Sequence, residues 1–139
     1  MRELKFRAWN KKEKQMYFNS RLDLFFRHMI YIGKEFEIMQ YTGLHDNKRT
    51  TEYPEGQEIY EGDIIRYTNE IEEIFHEEIG IVVFEQAECN FCIQRTVVNL
   101  ENYPVPKTTH TIYLIDNVQY HAAYEVIGNI YENPELLNT

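Results

Sequence analysis

Apolar and polar residues alternate with a period of two along much of this 139-residue chain, the spacing of strands with one face buried. Leu4, Phe6 and Ala8 alternate with Lys5, Arg7 and Trp9. A polar turn follows at Asn10-Lys11-Lys12-Glu13-Lys14, and Gln15-Met16-Tyr17-Phe18 returns, which predicts an N-terminal hairpin. Phe36-Glu37-Ile38-Met39-Gln40-Tyr41 alternates again and predicts a strand ending at Thr42-Gly43. The chain's organising stretch is Ile59-Tyr60-Glu61-Gly62-Asp63-Ile64-Ile65-Arg66-Tyr67. Extended, it places Tyr60 and Ile64 on one face and Ile59 and Ile65 on the other, as in a strand covered on both sides. Gly62 interrupts it where a bulge or sharp bend is expected. Gly80-Ile81-Val82-Val83-Phe84-Glu85 predicts a buried strand, and Phe91-Cys92-Ile93-Gln94-Arg95 its return. Another strand is expected within Thr109–Val118, and a last one from Tyr124 to Tyr131, bent at Gly128.

The period is ambiguous in two places. Ser20 is placed to cap a short helix, and Leu22, Phe25, Phe26, Met29 and Ile30 follow at helical spacing, although Tyr31-Ile32 before Gly33 suits a strand equally. Thr68 to Ile79 carries five Glu and no Lys or Arg, and reads either as a helix lined by Ile71, Ile74 and Phe75 or as a long acidic hairpin arm. Leu44–Glu58, broken by Pro54 and Gly56, and Asn99–Lys107, with Pro104 and Pro106, predict loops. The gaps between strands are too short for repeated βαβ units. The expected fold is mainly β (α+β): an N-terminal hairpin and short-helix subdomain over residues 1–45, packed on an SH3-like, partly open β-barrel over 57–132. A loop at 46–58 joins them and 133–139 forms a tail, with one continuous domain as the alternative division.

Composition supports sheet over bundle, with 14% aromatic residues, 11 of them Tyr and 8 Phe. No apolar run approaches the roughly 20 residues of a membrane span, and no signal-peptide core follows Met1, so a cytoplasmic protein without membrane partners is expected. Two cysteines three residues apart do not make a disulfide framework, which agrees with that compartment. Charge changes the picture more. The net −9 divides into +5 over residues 1–50, with 11 Lys/Arg against 6 Asp/Glu, and −14 over residues 51–139, with 3 against 17. Opposite poles of this kind favour head-to-tail association or the docking of two subdomains, set against the plainer reading of solvated faces.

Candidate chemistry is thin, and no catalytic, cofactor-binding or metal-ligating residues are assigned. Cys89-Asn90-Phe91-Cys92 supplies half of a tetrahedral zinc site, and His76, His110 or His121 would have to complete it without finger-like spacing. On a regular strand the two thiols point to opposite faces. His45-Asp46, with His28 and Asp63 as further ligands, is the other metal arrangement, but the dyad opens a polar loop. Glu61 and Asp63 would face one side of a strand and could act as an acid/base or metal pair. The structural reading makes Glu61, Gly62, Asp63 and Gly128 architecture, with the two glycines as bends that curl the sheet. Ser20 is the only serine, the six glycines are scattered, and there is no His-Glu-x-x-His. Hydrolase elbows, P-loops, dinucleotide fingerprints and zincin helices are therefore excluded. Lys5, Arg7, Lys11, Lys12 and Lys14, with Phe6 and Trp9 interleaved, form the one constellation suited to nucleic acid, opposed by the acidic remainder.

Three stretches together carry a family resemblance: Met1-Arg2-Glu3-Leu4-Lys5-Phe6-Arg7-Ala8-Trp9, then Met39-Gln40-Tyr41-Thr42-Gly43-Leu44-His45-Asp46 joined to Ile59-Tyr60-Glu61-Gly62-Asp63-Ile64-Ile65, and Val126-Ile127-Gly128-Asn129-Ile130-Tyr131-Glu132-Asn133-Pro134-Glu135-Leu136-Leu137. In these the chain resembles the YopX family of phage and prophage proteins. The resemblance implies a phage-encoded protein of the bacterial cytoplasm with no assigned catalytic residues. It also marks Asn47–Glu58 as a longer link than family members usually have, and places the Cys pair outside the motif. The expected function is a non-enzymatic protein-interaction module that forms a homo-oligomer and binds a host or phage protein. One form of this has the acidic arm around Glu70–Glu78 occupying a basic, DNA-binding groove of a host protein. A nucleic-acid-binding module using the basic hairpin is the alternative, and a metal-dependent hydrolase the third.

Overall fold

The computed structural model describes residues 3–18, 35–71, 73–95, 111–114 and 123–138. It is mainly β, in two antiparallel sheets. The first sheet holds β1 (Phe6–Asn10), β2 (Gln15–Phe18), β3 (Phe36–His45) and β4 (Glu58–Tyr60) in the order β2-β1-β3-β4. The second holds β5 (Asp63–Ile71), β6 (Ile74–Glu85), β7 (Asn90–Arg95), β8 (Thr111–Tyr113) and β9 (Tyr124–Asn129) in the order β8-β7-β6-β5-β9. The short helix expected within residues 20–30 lies outside the described residues, so the helical part of an N-terminal α+β subdomain has no counterpart among them. The tail expected after Asn133 contains a 3-10 helix, Pro134–Asn138.

Two expectations are corrected. β3 does not end at Thr42-Gly43 but runs on to His45, through a register shift between Tyr41 opposite Tyr60 and His45 opposite Glu58. Thr42 makes the irregularity possible: its Oγ1 donates to the Ile59 carbonyl at 2.8 Å and accepts the Leu44 N–H at 3.2 Å, replacing ladder bonds the shift removes. The stretch Ile59–Tyr67 is not one strand either. Its first part, β4, pairs with β3, and its second, β5, lies between β6 and β9 in the other sheet.

That division makes the Glu61-Gly62 turn the crossing point between sheets. Ile59, Tyr60, Ile64 and Ile65 are all buried, because each side of the turn meets a different sheet. The core clusters Ile59 from β4 with Ile65, Tyr67, Val82, Phe91, Ile93, Leu114 and Tyr124, so an edge residue of the first sheet seals the second. The bend of the last strand is a bulge: Ile64 faces Gly128 and Ile65 faces Val126, leaving Ile127 as the extra residue. A side chain at Gly128 would put its Cβ 2.5 Å from Oδ1 of Asn133, which folds back under the strand.

The acidic stretch resolves as the hairpin of β5 and β6, with Ile71 opposite Ile74 at its tip. β9 pairs β5 only as far as Tyr67, and β7 pairs β6 only from Gly80. Residues 68–79 therefore form a two-stranded arm with no strand on either side among the described residues.

Candidate functional site

The arrangement begins at Gly62, whose φ of +82° is a conformation that L-residues avoid. The turn it makes sends its own N–H to the Val82 carbonyl at 2.8 Å and receives the Ile130 N–H at 2.9 Å, fixing the corner against β6 and the end of β9. The same turn carries Asp63 inward, where it is 1% exposed. Asp63 Oδ1 accepts from Arg7 Nη2 at 2.7 Å, and Oδ2 accepts the Tyr60 N–H at 2.8 Å. Arg7, itself buried, also donates to the Glu61 carbonyl at 3.2 Å and lies over the Tyr60 ring, 4.8 Å from its centroid. Burial pushes the Asp63 carboxyl up to about 6, against the opposing pull of the Arg7 charge and the Tyr60 N–H. Burial and the Glu58 carboxylate raise the Tyr60 phenol, and its hydroxyl donates to Glu58 at 2.9 Å.

This joint determines what Glu61 and Asp63 can do. Glu61 Oε1 accepts the Gln40 N–H at 3.0 Å, while Asp63 is committed to Arg7 and Tyr60. The two carboxylates serve different partners and do not form a shared acid/base pair. At Gly62 an added Cβ would stand 3.1 Å from Met39 Sδ, a flexible neighbour, so the backbone angle is the main obstacle. Gly62→Ala is expected to cost about 1–2 kcal/mol and Gly62→Val more, because a β-branched side chain fits φ > 0 worst. Urea titration checks both, and a Gly62→Val chain melting like the parent contradicts the account.

A second joint uses Asp46. Its N–H donates to the Gln57 carbonyl at 2.9 Å, Oδ1 accepts the Gln57 N–H at 2.8 Å, and Oδ2 accepts the Val126 N–H at 2.9 Å. Asp46 thus closes the base of the 47–58 loop and caps the outer edge of β9, assisted by Asn47, whose Oδ1 accepts the Tyr124 N–H at 3.1 Å. The loop is tied internally as well, with Thr50 N–H to the Tyr53 carbonyl at 2.9 Å and Gly56 N–H to the same carbonyl at 3.1 Å. The neighbouring His45 ring faces Tyr41, not a shared ligand position with Asp46. His28, His110 and His121 lie outside the described residues. Cys89 is exposed in the turn before β7, at φ +49°, whereas Cys92 is enclosed in the core with its thiol pushed up by burial. Among the described residues no three His, Cys, Asp or Glu side chains gather as a metal-binding group.

The residues expected to contact nucleic acid separate into two groups. Arg7 and Trp9 are buried, the first on Asp63 and the second stacked on Tyr131 with ring centroids 5.8 Å apart. Both therefore face inward, a correction with a simple cause: alternation puts them on the side of the hairpin that covers the corner. Lys5 Nζ is held by Glu58 at 2.5 Å and Glu3 at 3.4 Å, which raises its pKa. Lys11, Lys12 and Lys14 remain exposed on the turn, with Lys11 Nζ 2.6 Å from Glu37.

Two of the depressions at the surface of the described residues bear on function. A cleft of about 340 Å³ forms where β9 begins, and there Glu125 holds Lys48 at 2.7 Å and Arg66 at 3.2 Å. Its cations are neutralised by that carboxylate and by nearby Glu77, which leaves it without a net charge to attract an ion. A shallower groove of about 630 Å³ runs between the β1–β2 hairpin and the chain after β9, lined by Trp9, Lys14, Gln15, Met16, Phe18, Tyr131 and Glu132. Phe18 is 57% exposed there.

Fold and sites together define a class: a mainly β, two-sheet protein whose buried charges join sheets and whose surface offers grooves and charged projections. The family profile described as YopX protein matches residues 25–138, and the chain belongs to the YopX family. In three dimensions it is similar to the crystal structure of protein EF1440 from Enterococcus faecalis, with a TM-score of 0.58 and 24% identity over 99% of each chain, a likeness that concerns the fold alone. No curated protein matches the chain in sequence.

Proposed function

We propose that this YopX-family chain is a phage- or prophage-encoded, non-enzymatic interaction module of the host cytoplasm that self-associates and engages a host or phage protein. The finer fold reading that goes with it takes residues 57–132 as an SH3-like, partly open barrel. One observation carries the functional reading. The acidic arm, residues 68–79, projects from the second sheet, whereas the lysine-bearing turn, Lys11-Lys12-Glu13-Lys14, tips a hairpin of the first. Complementary charges on separate projections attract between copies without cancelling within one. The carboxylates best placed for chemistry, Asp46 and Asp63, are meanwhile occupied in holding backbone and Arg7.

Light scattering across a concentration series, at about 50 mM and about 500 mM salt, tests this through screening of the poles. The expected result is a mass above that of one chain at low salt, falling toward 16.8 kDa at high salt. A single chain at every concentration and salt overturns it. The nucleic-acid reading retains Lys11, Lys12 and Lys14 beside the aromatic groove. For it, a gel-shift titration at about 50 mM salt should show single-stranded DNA retarded, and retardation should vanish on replacing those lysines.

A further inference from the structure

β9 is the last strand of the second sheet, so its outer side is a sheet edge. The pairing with β5 fixes which backbone groups face outward. In an antiparallel ladder, alternate residues turn both groups toward the neighbour. The Thr68 N–H takes the Ala123 carbonyl at 3.0 Å, so Ala123 and Glu125 face β5, whereas Tyr124 and Val126 face away. Residues 45–48 meet those outward groups. The Tyr124 N–H donates to Asn47 Oδ1 at 3.1 Å, and its carbonyl accepts the Asn47 N–H at 3.3 Å. The Val126 N–H donates to Asp46 Oδ2 at 2.9 Å. Lys48 Nζ stands 2.7 Å from Glu125, and the Tyr124 hydroxyl donates to the His45 carbonyl at 3.1 Å.

We propose that residues 45–48 are a strap that keeps the outer edge of β9 from pairing with β9 of a second copy. An open edge is a template for another chain, and the strap takes the positions an added strand would use. The reciprocal bonds between Asn47 and Tyr124 copy one rung of a ladder. Asp46 and Asn47 supply the other acceptors from their side chains, so the strap adds no strand of its own to the sheet. What it turns to solvent is Lys48 and Arg49, both exposed, and charged side chains at an edge discourage further pairing. Asp46, buried and bonded to Gln57 through its N–H and Oδ1, anchors it from behind.

The second copy is the natural occupant of the uncovered edge. Around a twofold axis, antiparallel β9 strands would exchange the outward donors and acceptors of Tyr124 and Val126, a closed and isologous contact. Backbone bonds hold such a pair, so salt that screens the charged poles would leave it intact.

The test uses the full-length chain at about 500 mM salt, where charge-driven association is suppressed and the two readings fail separately. By sedimentation velocity, Asp46→Ala with Asn47→Ala should associate at least about tenfold more tightly than the parent. Adding Val126→Pro should return it to the parent's behaviour. That proline removes an outward N–H and no bond to β5, which an edge strand tolerates. A folded double variant that associates no more than the parent overturns the strap. So does association that Val126→Pro leaves unchanged, because it then arises on another surface. If the double variant does not fold, Asn47→Ala alone decides, since its side chain is exposed and Asp46 stays in place. Its Tyr124 amide should exchange faster than the parent's and its association should rise, and no change in either overturns the proposal.

Discussion

Replacing Gly56 by alanine should lower folding stability by about 3 kcal/mol or more, a urea midpoint shift with little change in slope. Two effects add. Gly56 has a φ of +92°, and its added Cβ would overlap the backbone carbonyl oxygen of Asp46 and lie 3.1 Å from Asp46 Oδ1. Neither obstacle yields easily, because Asp46 is held through its N–H and both carboxylate oxygens to Gln57 and Val126. Moving it would loosen the 47–58 loop and uncap β9 together. Gly43 provides the control. Its φ is +85°, but nothing lies within 4 Å of the position its Cβ would take. Gly43→Ala should therefore cost only the backbone term, about 1–2 kcal/mol. Equal losses at the two sites would mean that the contact with Asp46 adds nothing.

Strands β1, β2, β7 and β9 were legible from apolar spacing and β-forming runs, and each lies close to where the pattern places it. Which face is buried was not legible, since β1 buries Arg7, Ala8, Trp9 and Asn10 together and β7 buries Phe91, Cys92 and Ile93 in a row. The family was legible too, since its three motifs span the chain and the matched region covers residues 25–138. Continuation of β3 past Gly43 was not, because a shift sustained by the Thr42 hydroxyl has no periodic signature. The acidic stretch was ambiguous for a physical reason. Ile71, Ile74 and Phe75 satisfy a helical face as well as a hairpin tip, and only the pairing of Ile71 with Ile74 distinguishes them.

Least legible was the chemistry of the corner. Arg7 sits in an alternating run with Lys5 and Lys11, and a buried arginine looks the same in sequence as a solvated one. Its partner Asp63 is 56 residues away, and no spacing rule connects them. Asp46 misled in the opposite way. Beside His45 it suggested a metal ligand, yet its oxygens hold backbone N–H groups that a sequence does not display.

Arg7→Met should destabilise the protein by about 3–5 kcal/mol near pH 8, because it strands a carboxylate in the interior. The loss should shrink toward pH 5. Burial already raises Asp63 to about 6, above the usual value for an unfolded chain of about 3.9. For a carboxyl raised on folding, the folded state binds more protons than the unfolded one between those values. Stability from this group therefore increases as pH falls from about 6 to about 4, the reverse of an ordinary salt-bridged carboxylate. Removing Arg7 takes away the charge that opposed the rise, so the proton binds at still higher pH and neutralises the stranded group. The double variant Arg7→Met with Asp63→Asn removes both charges while keeping an oxygen for the Tyr60 N–H. It should lie within about 1 kcal/mol of the parent and lose the pH slope, as replacement of whole buried pairs often does. Denaturant titrations of parent, single and double variants at pH 5 and pH 8 decide the matter. If the single and double variants lose the same amount at both pH values, the cost lies in packing methionine beside Tyr60. If only the single variant suffers, and chiefly at pH 8, the pair adds little net stability and instead specifies how the first sheet meets the corner at Gly62.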